Sequence, residues 1–446
     1  MMHRFVSNTA RVLIVGMWGY SALAAPPAAP PKKVAPAPKK ASPPKFKPAR
    51  KETGKAASNV KPILAEPLAA GKVRAPNLEI IHRFEMIMPV GVAVTSGGRK
   101  FVSYPRWTDK GEWTLAEIND GKEVPYPDGG EFQRGHKTDP RNNLVSLQGL
   151  VTDAKDRLWI LDTGTVEMKP VQPFTPKLVC IDTKTNAVTK TILFPESVAP
   201  EGTYLNDLRI DGRRGEGEGI AYITDSGTTS PNGIICVDLK SGKSWRRLAG
   251  HPSTQPDPQF VGKPETGPLY LRPKPGEKSS VRIGSDGISI SPDGEFVYYT
   301  PLSSRKLYRV KAAALADIGV SDESVNRMVE DLGEKGVADG LEEDTEGRIY
   351  ITDWEKRAIT RRGTDGILET LVQDDRLLWP DTLDLGRDGY LYVLTNQLHR
   401  QPNYHAGKEL RKPPYLLMRI KLEDASPVVL DGNNIPGLME TPKANK

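Results

Sequence analysis

The chain has 446 residues, 37% of them hydrophobic, with a mean hydropathy of −0.46, 41 Gly and 39 Pro. The length allows one large domain or two ordinary ones, and the Gly and Pro follow no collagen-like period, so many turns and many short strands are expected. The net charge is +6, but residues 25–74 carry twelve basic and two acidic residues and residues 1–24 two basic and none acidic; residues 75–446 therefore hold 48 basic against 54 acidic, a net −6 that excludes a basic nucleic-acid-binding domain.

The first 24 residues read as a secretory signal. Arg4 and Arg11 precede an apolar stretch, Val12 to Tyr20, and Ala22-Leu23-Ala24 supplies small residues for cleavage. The run is short for a membrane span, which needs roughly 20 residues. The expected location is periplasmic or secreted, with an uncleaved membrane tether as the alternative. Residues 25–74, rich in Pro, Lys and Ala, lack an apolar period and cannot offset the entropy of ordering. They read as an extended spacer, on the order of 100 Å at full reach. They are also a candidate contact for an anionic cell surface.

From residue 75 a pattern repeats six times: a polar or small pair, an alternating strand, a turn with Asp or Gly, and a second apolar strand. The units begin at Val90, Gln148, Asn206, Asp286, Asp339 and Asp381. A third strand follows in most units, as in KLVCIDTKT around Cys180 and GIICVDLKSG around Cys236. Six such units fit an all-β, six-bladed β-propeller with four-stranded blades spanning 75–430, followed by a tail, 431–446. LEIIHRFE (78–85) precedes the first unit and reads as the fourth strand of the last blade, closing the ring. The two cysteines occupy equivalent strands one blade apart, too distant for a disulfide, and are expected to be free and buried.

In such a ring the first residue of each inner strand lies at one mouth of the central channel. Gln148, Asn206, Asp286, Asp339 and Asp381 should meet there. Converging carboxylates are compensated by a divalent cation or raise one another's pKa. The competing reading makes the Asp-Gly pairs turn residues that cap backbone amides. Loops at the same mouth bring Trp107 and Trp354 as candidate aromatic walls, with Arg106, Arg400, His399 and His405 as polar contacts. The two histidines, six apart in a Pro-rich loop, read as solvated rather than metal-binding. No GxSxG, HExxH, phosphate-binding loop or CxxC occurs.

Several long segments resemble the royal jelly/yellow family across about residues 78–424, among them LVSLQGLVTDAKDRLWILDTG, YLNDLRID, DGISISPDGEFVYYTPLSS and WPDTLDLGRDGYLYVLTNQL. The resemblance implies an exported six-bladed propeller that binds small ligands, biogenic amines included, or is linked to dopachrome conversion. A wider similarity to gluconolactonase-like, calcium-dependent lactonase propellers implies a metal set of Asn206, Asp286 and Asp339, with calcium as the cofactor and Asp339 or Asp286 as general base. The acidic residue such lactonases carry in the first blade is replaced here by Val90 or Gly91. Three functions follow as expectations: a ligand-binding propeller using Gln148, Asp381, Trp107, Trp354 and Arg106; a metal-dependent hydrolase or dopachrome-type isomerase; and a non-catalytic surface scaffold. A monomer is expected.

Overall fold

The computed structural model describes residues 74–431, and the expectations for a signal, most of the linker and the tail lie outside them. The described chain forms six four-stranded antiparallel sheets and a two-stranded ribbon. The inner strands, in blade order, are Gly91–Val94, Leu147–Thr152, Leu205–Asp211, Ser285–Ile290, Leu341–Glu343 and Pro380–Leu385. Each touches the next around the ring, and the sixth touches the first, so the blades close into a six-bladed propeller as expected.

The second strands are continuous apolar runs because both their faces are covered. Ile220–Asp225, for example, is buried at every residue. The blades pack through layers of such residues. Trp159, Leu208, Ile223 and Ile235 fill the space between blades 2 and 3, while Tyr222, Ile288, Val297 and Tyr299 fill that between blades 3 and 4. Cys180 lies in the first of these layers and Cys236 in the second. The two thiols therefore face different interfaces, which is why both are free and buried. Burial pushes the Cys180 thiol up to about 11, far from reactive thiolate.

Glycine recurs where the inner strands approach most closely. A Cβ on Gly149 would stand 2.4 Å from the carbonyl oxygen of Asn206, and one on Gly287 would stand 2.3 Å from that of Asp339. Asp286-Gly287 and Asp339-Gly340 therefore open inner strands and are not turns. Gly supplies clearance between blades there, and Asp stands at the mouth.

Leu78–Phe84 pairs antiparallel with Tyr415–Lys421 and completes blade 6, as its position predicts. Its entry is fastened at Asp374, whose carboxylate accepts from the Ala75 amide at 2.7 Å and pairs with Arg74 and Arg376. A second fastening lies at the other end of the chain. Pro427 bridges Asp344 in blade 5, and Leu430 accepts from the Gly212 amide in blade 3 at 2.8 Å. The segment 427–431 thus crosses one mouth of the channel. Residues 252–284, an insertion between blades 3 and 4, and residues 396–412 of blade 6 meet at the opposite mouth. There the Arg272 amide donates to Asn403 O and the Ala406 amide to Arg272 O. Among the described residues, no helix is long and apolar enough to cross a membrane.

Candidate functional site

The inner strands bring Gln148, Asn206, Asp286, Asp339 and Asp381 to one mouth, around a space of about 10 Å³ that Val90 also lines. All five side chains are buried, with 4 to 9% of their surface left exposed. Their contacts run around the ring. Asn206 Nδ2 donates to Asp286 Oδ2 at 2.9 Å and to Ser226 Oγ at 2.7 Å. The Asp286 and Asp339 carboxyls line the same space, where Asp339 raises the pKa of Asp286. The Trp379 indole donates to Asp339 Oδ2 at 2.6 Å, and Asn396 Nδ2 donates to Asp381 Oδ2. On the other side, Trp107 Nε1 donates to the Tyr204 hydroxyl at 2.7 Å, which donates to Gln148 Oε1 at 2.9 Å.

Among the described residues, none of the three aspartates is paired with a lysine or arginine. Their charge is therefore opposed by burial and by one another, while the buried Lys335, within electrostatic reach of Asp286, offsets part of it without pairing. Burial first, then Asp339 and Asp381, holds the Asp286 carboxyl well above the carboxylate range. Burial and Asp339 do the same for Asp381. Asp339 is pushed up to about 6 by burial, with the Trp379 and Asp286 hydrogen bonds pulling it back.

Calcium takes six to eight oxygen ligands. Here blade 1 offers Val90, and Asn206 turns its nitrogen toward Asp286. Among the described residues, no group of three or more His, Cys, Asp or Glu is arranged to hold a metal ion. The arrangement does not fit a calcium cage, and no chemistry is derived through one. The polar space is about the size of one water or one ammonium head.

The loop residues depart from expectation. Arg106 is not a ligand contact: it is buried, and its guanidinium donates to the carbonyls of Val145, Gly111 and Gln133. Trp354 is not a pocket wall: it is 1% exposed, stacked 4.4 Å from Trp379 and packed under Gly262. His399 is not solvated: it is fully buried, stacked on Trp379, with Nε2 2.7 Å from Glu265 Oε1. Arg400 shares that carboxylate, and His405 lies against His399 O. Only Trp107, half-buried beside Tyr204, keeps a place at the mouth.

Sequence reasoning missed the interior of the channel. Asp207, Arg209, Glu342 and Asp384 follow the mouth residues inward. Arg209 Nη1 lies 3.2 Å from Asp207 Oδ1, and its Nη2 lies 3.1 Å from Glu342 Oε2. The signal was present as a period of two. Asp207 and Arg209, Gly340 and Glu342, and Thr382 and Asp384 share the inward face of their strands.

The sequence model of the family described as Major royal jelly protein matches residues 145–426. Protein yellow of Drosophila erecta is 28% identical over 262 residues, covering 56% of this chain and 45% of its own. Protein yellow of Drosophila madeirensis is equally similar, with 43% of its length covered, so the chain spans less than half of these relatives. Among solved structures, a luciferin-regenerating enzyme superposes with a TM-score of 0.50 at 12% identity, covering 81% of this chain and 100% of its own, a likeness of fold alone.

Proposed function

The chain belongs to the major royal jelly protein family, and from that premise we propose that it is an exported binding protein for small amines, whose ammonium group enters the aspartate-lined mouth. The supporting observation is the set of Asp286, Asp339 and Asp381, buried together around a water-sized space without a basic partner. An ammonium presents three donors and a positive charge, and these carboxyls present acceptors whose ionisation is held back only by burial and mutual repulsion. The body of the ligand rests outside that space, against the half-buried Trp107 and the Tyr204 ring beside it.

Each residue then has a stated task. Trp379 fixes one oxygen of Asp339, and Asn396 and Thr382 hold the two oxygens of Asp381, each of which keeps a further lone pair for the ligand. Asn206 orients Asp286, and the Trp107–Tyr204–Gln148 relay fixes the uncharged side of the mouth. Bringing in a cation favours the ionised carboxyls, so binding releases protons. The basic segment 25–74 serves as a tether in this reading.

Calorimetry tests it with tyramine, with 4-ethylphenol as its uncharged counterpart and Ca²⁺ as a third arm, in two buffers of different ionisation enthalpy. Tyramine should bind with proton release near pH 6, 4-ethylphenol should bind at least tenfold more weakly, and Asp339→Asn and Asp286→Asn should each weaken tyramine by at least tenfold. Equal binding of the amine and the phenol would remove the charge argument. Saturable Ca²⁺ binding lost in both variants, with no amine binding, would put a metal ion in the mouth instead.

A further inference from the structure

A second cavity, about 480 Å³, lies at the opposite mouth, where the inner strands end and the segment 427–431 crosses. Its volume falls within the ~300–1,000 Å³ typical of small-molecule sites. The walls are the strand ends Val94, Val151, Ile210, Ile290 and Leu385, and Arg209, Glu342 and Asp384 also line it.

The charges around this cavity are unequally used. Its carboxylates are engaged. Asp153 accepts from Arg157 at 2.6 Å, Asp156 accepts from Ser96, and Glu218 and Glu342 face Arg157 and Arg209. Asp384 accepts from the Val94 amide. Burial and the neighbouring Glu342 push its carboxyl up to about 8, so it stands as a neutral donor in neutral solution. The cations are not all engaged. Arg209, with a side chain only 11% exposed, leaves its Nε buried without an acceptor. At the rim, the exposed Lys155 and Arg387 side chains make no hydrogen bond or ion pair among the described residues. A buried donor without a partner is costly, and a ligand oxygen would satisfy it.

We infer that this second mouth is a binding site for a small polyhydroxylated organic anion of the sugar-acid class, with its carboxylate at Lys155 and Arg387 and its hydroxyls against Arg209 and Asp384. The site is distinct from the aspartate mouth and of opposite charge preference. Its ligand is excluded from that mouth by charge and by size.

The test uses the full chain and three sugars of one shape: glucuronate, glucose and glucosamine. Glucuronate should bind saturably and raise the melting temperature, glucose should bind at least fivefold more weakly, and glucosamine should not bind. Because Lys155 and Arg387 are exposed and unpaired, Lys155→Glu and Arg387→Glu should leave the unliganded melting temperature unchanged while weakening glucuronate at least tenfold when combined. Asp339→Asn should leave glucuronate binding as it is. Glucosamine binding as well as glucuronate would overturn the proposal, as would no binding of any of the three. Glucuronate binding that Asp339→Asn weakens, and the paired rim variant does not, would move the ligand to the other mouth and overturn it too. Amine binding by the aspartate mouth stands or falls separately, in the Asp286 and Asp339 variants.

Discussion

The acids in and beside the channel are held near neutrality chiefly by burial, and that gives the protein a characteristic response to pH. Asp339 is raised to about 6, and Asp384 and Glu343 to about 8, in each case first by burial. Between about pH 4 and pH 8 the folded chain binds more protons at these groups than the unfolded chain does, so their contribution to stability falls as pH rises. Glu265 and Asp374 act in the opposite sense: both are lowered to about 2, by the His399 and Arg400 contacts and by Arg376 respectively, against the pull of burial. Their contribution is present above the ordinary carboxylate pKa and is lost as pH falls toward 2. Asp384→Asn keeps an acceptor for the Val94 amide and removes the ionisation. Thermal melts from pH 5 to pH 8 should show a shallower decline for this variant, with a melting temperature a few degrees above the parent at pH 8; parallel curves would show that Asp384 is not held neutral. At this scale the sequence was only partly legible. The mouth aspartates follow from strand register, whereas the burial of His399 depends on Glu265, 134 residues away on an insertion with no repeat to align it. Composition made Trp354 and Arg106 look like ligand contacts, because an aromatic ring or a guanidinium serves a loop core as readily as a pocket.

Strands were the most legible elements, since alternation and the Asp- and Gly-bearing turns mark each hairpin independently of its neighbours. The inner strands carry a further constraint that alternation does not express. Gly91, Gly149, Gly287 and Gly340 hold positions where a Cβ would press on the neighbouring blade. Gly287→Ala brings a methyl to 2.3 Å of the Asp339 carbonyl oxygen, backbone that cannot swing aside. A loss of about 1–3 kcal/mol is expected from such overpacking, together with weaker tyramine binding, because the displaced strand carries Asp339. Denaturant unfolding and calorimetry on the same variant check both, and an unchanged midpoint would mean that the blades can part freely. The insertion 252–284 and the segment 427–431 were illegible as elements. They hold their places through isolated backbone bonds, ion pairs and scattered apolar contacts, Phe260, Leu269 and Val281 clustering with Trp354 and Trp379, and Leu430 with residues of blades 3 and 4, which leave no period in a sequence.

The ring as a whole depends on a strand from the beginning of the domain. Leu78–Phe84 covers the outer edge of blade 6, and Phe84 and Leu78 are buried against Leu417 and Ile420. Deleting residues 75–87 should abolish cooperative unfolding and expose apolar surface to a dye such as ANS, whereas deleting 25–70 should leave the melting curve unchanged. Closure was legible because the chain shows six inner strands but only two outer partners for the last blade, and one spare strand ahead of the first.

That closing pair joins residues 340 apart in the chain, as the Glu79–Arg419 contact marks. During synthesis the first strand therefore waits, unpaired and apolar on alternate residues, until nearly all of the domain has appeared. Contacts of such separation form slowly, and an uncovered strand edge is open to wrong partners meanwhile. A chain threaded unfolded through a membrane meets the same delay on the far side, where all of its strands become available within one passage. The ring is thus better suited to folding after delivery than to folding as it is made, and release of the last strand becomes the event that commits the whole molecule.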